Sequence, residues 1–400
     1  MNNLAYLIHI PLIIYIAVKL NNIFKSYPLS KFFYYGLGLK LLAGAGVGLL
    51  YFYYYGYGDT LLYHYDAVKL NLHAFDDVVS YFHIVVFGDF PNEIIRNQFT
   101  SWNQPRVFLM VKIISILDFF TFRNYWVNSL YFSLFSFIGM WFLANTLSRI
   151  NPDFSTASAI AFLFFPSIVF WSSGILKESI AMGSIGLLLG FGLNSIAQNG
   201  RFKFKELAGK EGLCGGDAMR YAPCALRFVV SLLCIWLIWK LKYYYLAVLM
   251  PLFLSYLIIE LASKKVKYLK EKFAYFNFSF FPFPIFRFPS TIKILAFCIC
   301  VIFLSFLATR MHWNLHLTRV FDIIVDNYYK TFDISNACIA FENLQPTVKS
   351  FFQNSPKALF SALFRPGIWE ANNILQIFAG LENLLVLLLT ILAIYYFVKR

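Results

Sequence analysis

Asp59, Tyr63 and Asp66, in the run Tyr57-Gly-Asp-Thr-Leu-Leu-Tyr-His-Tyr-Asp66, have the spacing to share one face of a short helix, with His64 beside them. The run follows an apolar stretch directly, and Gly56 and Gly58 allow a turn between the two. Asp59 would then stand at a membrane surface, partly desolvated, as a general base or a metal ligand. The competing reading makes it the cap of a juxtamembrane helix, with Thr60 assisting. A second group is the pair Lys177-Glu178, set between two apolar stretches with almost no loop around it. An ionised side chain at the bilayer centre costs at least about 2.5 kcal/mol, so this pair must lie at the water interface or in a polar cavity. A lysine at a helix start makes an anion site suited to phosphate or carboxylate; the alternative is a local ion pair or an interfacial anchor. The third group is Phe364-Arg-Pro-Gly-Ile-Trp-Glu-Ala-Asn-Asn373, followed by Glu382 inside an apolar run. Arg365 has the fork geometry for phosphate, Trp369 can stack on a sugar or sit in the interfacial belt, and Glu370 or Glu382 can orient the arginine. Asp76-Asp77 with His73 and His83 could hold a divalent cation, or simply form an exposed acidic turn; no metal motif is matched and no cofactor is required.

These groups sit in a chain that is 60% hydrophobic and 20% aromatic, with 14% charged residues and a mean hydropathy of +0.64. That composition excludes a soluble domain, and continuous apolar runs favour helices over a barrel. The expected fold is all-α: one integral membrane domain over 1–400, a polytopic transmembrane helix bundle. The formal charge of +14 is explained by basic cytoplasmic loops, and nothing resembles a nucleic-acid-binding module. The six cysteines, Cys214, Cys224, Cys234, Cys298, Cys300 and Cys338, form no CxxC pair, so neither a metal site nor a disulfide framework is indicated. The first apolar stretch has no preceding basic residue and no small-residue cleavage site, and is expected to be a retained helix.

About nine spans are expected, over 4–19, 36–55, 125–146, 155–172, 178–196, 226–241, 243–262, 292–308 and 375–397. The stretch 107–121 is apolar but short and carries Lys112 and Asp118, which points to an interfacial helix. Charge bias supports that choice. With 107–121 outside the bilayer, the basic loops 20–35, 197–225 and 263–291 and the tail Lys399-Arg400 all fall on the cytoplasmic side. The N-terminus is then outside and the C-terminus inside. The loops 56–124 and 309–373, each expected to contain interfacial helices, share the non-cytoplasmic face with the hairpin at Ser172–Glu178, where Ser173 and Gly174 would open a helix. Long loops in a compact protein are usually functional. No internal repeat or matched pair of broken helices is present, which weakens a transporter reading.

With an acidic residue just after an early span, basic residues on other outer loops and an interfacial helix in the first outer loop, the chain resembles the GT-C superfamily of polytopic membrane glycosyltransferases. The resemblance covers the general plan of the first two-thirds. It implies transfer of a sugar from a polyprenyl-phosphate-linked donor to a glycan or lipid acceptor on the non-cytoplasmic face, in a bacterial inner (plasma) membrane. Asp59, Asp66 and Glu178 are the expected catalytic carboxylates. Tyr63, His64, Lys177, Arg365, Trp369, Glu370 and Glu382 are the expected substrate contacts. Membrane polysaccharide polymerases share the plan, and a transporter or flippase of lipid-linked glycans is the rival from another class.

Overall fold

The computed structural model describes residues 2–198, 224–273, 290–311, 313–334, 339–341 and 343–399, and no strand occurs among them. Most of the basic loop 197–225, part of the loop 263–291, and Cys214 and Cys338 lie outside the described residues. The helices are α1 (Asn2–Ile23), α2 (Phe33–Leu49), α3 (Asp59–Asp76), α4 (Val78–Val86), α5 (Glu93–Asn97), α6 (Pro105–Thr121), α7 (Tyr125–Ile150) and α8 (Ser155–Ala159). There follow α9 (Pro166–Trp171), α10 (Lys177–Gln198), α11 (Cys224–Phe273), α12 (Ser290–Met311), α13 (Leu317–Ile334), α14 (Val348–Phe364) and α15 (Ile374–Lys399). Five described segments are long and apolar enough to cross a membrane: Asn3–Ile23, Ser30–Tyr55, Tyr125–Ile150, Leu226–Ile259 and Ile374–Lys399.

Five such segments, not nine, occur among the described residues, and three of the expected spans differ in form. The 155–172 segment is divided at Phe165, which takes an extended backbone before Pro166, as a residue preceding proline prefers. The expected spans 226–241 and 243–262 run together as α11, with Lys242 at φ −144°, ψ 61° forming a kink between them. The helix over 107–121 appears as α6 and is not among the membrane-length helices.

Two compact units are formed, Met1–Tyr243 and Tyr244–Arg400. In the first, α7 packs most closely on α10, whose contact face carries Gly183, Gly186 and Gly190. A Cβ on Gly139 would overlap the Gly183 carbonyl, and one on Gly183 would stand 2.7 Å from the Phe135 ring. Small residues let membrane helices approach at backbone distance, and here they are required. One apolar cluster joins Phe24, Phe33 and Trp141 at the meeting of α1, α2 and α7. Another is built largely from the 56–124 segment: Tyr63 and Leu70 of α3, Ile84 of α4, Met110, Val111 and Ile114 of α6, closed by Ile175 and by Leu241 of α11. The long loop is therefore a folded helical layer with its own core.

That layer buries a carboxylate. Asp118 Oδ1 accepts from Asn128 Nδ2 at 2.7 Å, and Thr121 Oγ1 donates to Asn128 Oδ1 at 2.7 Å, while Asp118 Oδ2 has no hydrogen-bond partner among the described residues. Burial is the largest influence on Asp118 and outweighs the Asn128 bond, raising its pKa from 3.8 to about 6. The folded state then holds the proton more tightly than the unfolded chain. This contribution to stability is complete below the ordinary value and is lost as pH rises through about 6. Asp118→Asn is expected to flatten the fall in stability over that window, measured by denaturant unfolding of detergent-solubilised protein. Gly183→Ala is expected to destabilise the same preparation by about 1–3 kcal/mol through overpacking against Phe135 and α7. Unchanged unfolding would contradict the close α7–α10 approach.

Candidate functional site

The turn from α2 into α3 sets the position of Asp59. Helix α2 ends in a π-helical turn, Leu50–Tyr55, and the chain reverses through Gly56 at φ 69° and Gly58 at φ 134°. Gly58 is needed twice, for its positive φ and because a Cβ there would strike the Tyr51 ring. Asp59 is the first residue of α3, so its carboxylate suits the positive end of that helix. The Tyr63 hydroxyl, one turn on, donates to Asp59 Oδ2 at 2.5 Å. No hydrogen bond reaches Oδ1 among the described residues, and the side chain is 58% exposed. Asp59 therefore offers one fixed and one open oxygen.

The Ser172–Leu176 turn brings up the second part. Gly174 adopts φ 68°, its N–H donates to Ser133 Oγ at 2.9 Å, and its carbonyl accepts from Ser179 Oγ at 2.8 Å. Ile175 and Leu176 are buried, so the chain dips into the core before α10 begins. The helix thus starts at Lys177, not at Ser173–Gly174 as expected, because the left-handed glycine and the buried pair take up the intervening residues. Lys177 Nζ lies 3.5 Å from Asp59 Oδ2 and 5.4 Å from the centre of the Tyr63 ring, and its side chain is 17% exposed. Beneath the turn, Lys40 of α2 donates to Ser172 Oγ at 2.5 Å and to the Val169 carbonyl at 3.4 Å. This lysine sits inside a membrane-length helix and caps the free carbonyl end of α9, which holds the hairpin in place.

Glu178 is paired not with its neighbour but with Lys242, whose Nζ lies 2.6 Å from Glu178 Oε1. The α11 kink supplies this lysine. Two ion pairs, Asp59–Lys177 and Glu178–Lys242, thus stand next to each other in sequence and link α3, α10 and α11. Lys40 and Lys242 were not among the expected residues. Both carried a readable signal: Lys40 is a lone cation within an apolar run, and Lys242 sits where two apolar runs meet without a loop.

Other expected residues go elsewhere. Asp66 is buried, its Oδ2 accepting from Ser101 N–H at 3.0 Å and from Ser101 Oγ at 2.7 Å, with Lys69 at 3.4 Å from Oδ1; it ties α3 to the segment before α6. His64 packs edge-on to Tyr125 at 5.4 Å, its buried Nδ1 has no hydrogen-bond partner among the described residues, and burial pushes its pKa down to about 4, so the ring is neutral. Asp77 caps α4 by accepting from Ser80 N–H, and His73 bonds Ser80 Oγ at 2.8 Å. Among the described residues no three His, Cys, Asp or Glu side chains gather as a metal site.

Arg365, Trp369, Glu370 and Glu382 belong to the second unit. There Arg365 Nε donates to Glu370 Oε2 at 3.0 Å and its Nη2 pairs with Oε1, while Gly367 N–H donates to the same Oε2 at 2.8 Å. The Arg365 hydrogen bond holds Glu370 below the usual carboxylate range. Trp369 is 82% exposed. Asn383 donates to the Pro366 carbonyl at 3.0 Å, securing this loop on α15, where Glu382 is half-buried.

No protein-family model, curated protein or solved structure matches the chain. The functional reading rests on geometry. Because Asp59 is largely solvated, its pairing with Lys177 is expected to contribute under about 1 kcal/mol to stability. A double-mutant cycle with Asp59→Asn and Lys177→Gln, read by unfolding, measures it; a coupling of several kcal/mol would make the pair a structural strut.

Proposed function

We propose that the chain is an integral membrane glycosyltransferase that moves a sugar from a polyprenyl-phosphate-linked donor to an acceptor hydroxyl. The observation that carries the reading is the approach of Lys177 to Asp59: a cation suited to a phosphate, 3.5 Å from a carboxylate with one open oxygen. Asp59 Oδ1 takes the proton of the acceptor hydroxyl as that oxygen attacks the anomeric carbon. The bond from that carbon to the phosphate oxygen breaks, and the lipid phosphate leaves with the electron pair. Lys177 stabilises the charge that develops there. Tyr63 keeps the carboxylate oriented through Oδ2, and Lys242 keeps Glu178 turned away from Lys177. Within the second unit, Arg365, held by Glu370, has the fork suited to a phosphate, and the exposed Trp369 ring has the face suited to a sugar.

The matching topology has nine spans, the N-terminus outside and the C-terminus inside, in a bacterial inner membrane. In it the 56–124 segment, the 172–178 hairpin and Lys242 all emerge on one face. The contacts from Asp59 to Lys177 and from Glu178 to Lys242 support this arrangement, since those residues come from three separate joins between helices. The layer formed by α3 to α6 is then the roof of the site, and α13 and α14 lie in the second outer segment.

Asp59→Asn is expected to lower sugar transfer by about 10²–10⁴-fold while membrane insertion is unchanged. The assay follows labelled sugar from a polyprenyl-phosphate donor in proteoliposomes. Full activity in that variant would remove Asp59 from the mechanism. Laddered products in place of single-sugar addition would identify the same site as a polymerase.

A further inference from the structure

Positive charge is in surplus on the same side of the first unit. Arg106 and Lys112 lie on α6 and Lys240 on α11, and Leu237 and Leu241 of α11 pack on the core that α6 helps to form. The Arg106 guanidinium covers the Tyr243 ring at 4.4 Å, and Lys112 Nζ lies 5.5 Å from the centre of its own helix's Phe108 ring. Both bases thus have aromatic flooring. Neither Arg106, Lys112 nor Lys240 makes a hydrogen bond through its side chain, or an ion pair, among the described residues. Burial holds Lys112 below the ordinary lysine range; Asp89 acts in the opposite direction, and Lys240 adds to the lowering. Lys112 is thus half-buried near a second lysine, and the exposed Asp89 is the one carboxylate that acts on it among the described residues. On the topology proposed above this face is non-cytoplasmic, where the positive-inside bias disfavours Lys and Arg, so topogenic charge does not account for the cluster.

We infer that Arg106, Lys112 and Lys240 form an anion-binding site at the α6–α11 junction, separate from Lys177, which takes the phosphate of an anionic membrane lipid. The chemistry is that of any phosphate oxygen cluster. The lipid source follows from position. Lys240 lies within the membrane-length segment Leu226–Ile259, and α6 exposes Ile116, Phe119 and Phe120, so a headgroup bound here keeps its chains beside apolar surface. The inference rests on the outer-face topology of the proposed function but not on sugar transfer.

The test is lysine footprinting of the full chain in phosphatidylcholine vesicles, with limited acetylation read by peptide mass spectrometry. One arm adds phosphatidylglycerol to the vesicles, another adds inorganic phosphate. Phosphatidylglycerol is expected to slow acetylation of Lys112 and Lys240 about fivefold each, the population shift corresponding to one basic side chain at an anionic surface. Lys69, exposed on α3, should keep its rate and corrects for general surface charge. Arg106→Gln should weaken the protection of Lys112. Equal slowing at all three lysines, protection by inorganic phosphate alone, or no protection would overturn the inference. Sugar transfer measured in phosphatidylcholine alone is independent of these outcomes. An inactive enzyme that still shows the footprint would sink the transferase reading and leave this site standing.

Discussion

A cation beside lipid must find an acceptor or leave the bilayer, and this constraint organises the first unit. Three lysines in or next to apolar helices answer it in different ways. Lys40 donates hydrogen bonds to Ser172 Oγ and the Val169 carbonyl, so a charge inside α2 becomes the cap of α9. Lys177 reaches Asp59 at the start of α3, and Lys242 reaches Glu178 from a kink in α11. Each solution joins two elements distant in sequence. The charges therefore determine which ends of helices meet.

Close packing makes those meetings durable. The glycine face between α7 and α10 fixes α10 at backbone distance, and the Gly174 N–H is held by Ser133 of α7. Lys177 starts α10, so its ammonium is positioned by contacts that reach well down the bundle. On the opposite side, Gly58 lets Tyr51 lie against the α2–α3 turn, which fixes Asp59. A carboxylate and a cation on such supports keep their spacing without being buried. That is the requirement for a polar site at a membrane surface.

Composition and apolar run length made helical architecture legible in the sequence, because a hydrocarbon solvent admits few alternatives. The Asp59–Tyr63 pair was legible from i,i+4 spacing alone. The 107–121 helix was separable from the spans by its length and charges. What could not be read was partner choice. Asp66 shares the helix of Asp59, yet Ser101, thirty-five residues on, claims it; no local pattern announces such a latch. A local ion pair of Glu178 with Lys177 was one reading of the sequence, but the kink at Lys242 brings a different cation to 2.6 Å from Glu178. The fold of the 56–124 segment was also hidden. Its core mixes residues from α3, α4 and α6 with Ile175 and Leu241, and only their tertiary meeting reveals it.

The two ion pairs differ in kind, and the difference assigns their roles. Asp59–Lys177 is long at 3.5 Å and its carboxylate is mostly solvated, so its net worth is at most about 1 kcal/mol. A charge-assisted hydrogen bond from lysine to phosphate contributes about 1.5–3 kcal/mol. On the transferase reading proposed above, an arriving phosphate would take Lys177 from Asp59 and so release the carboxylate from its cation when the acceptor needs a base. Glu178–Lys242 is short at 2.6 Å with both side chains largely covered, so breaking it would strand two partly desolvated charges. It acts as a fixed brace between α10 and α11. Neighbouring residues in the chain thus divide the work: Glu178 holds the helix start in position, and Lys177, on that support, is the one free to change partners.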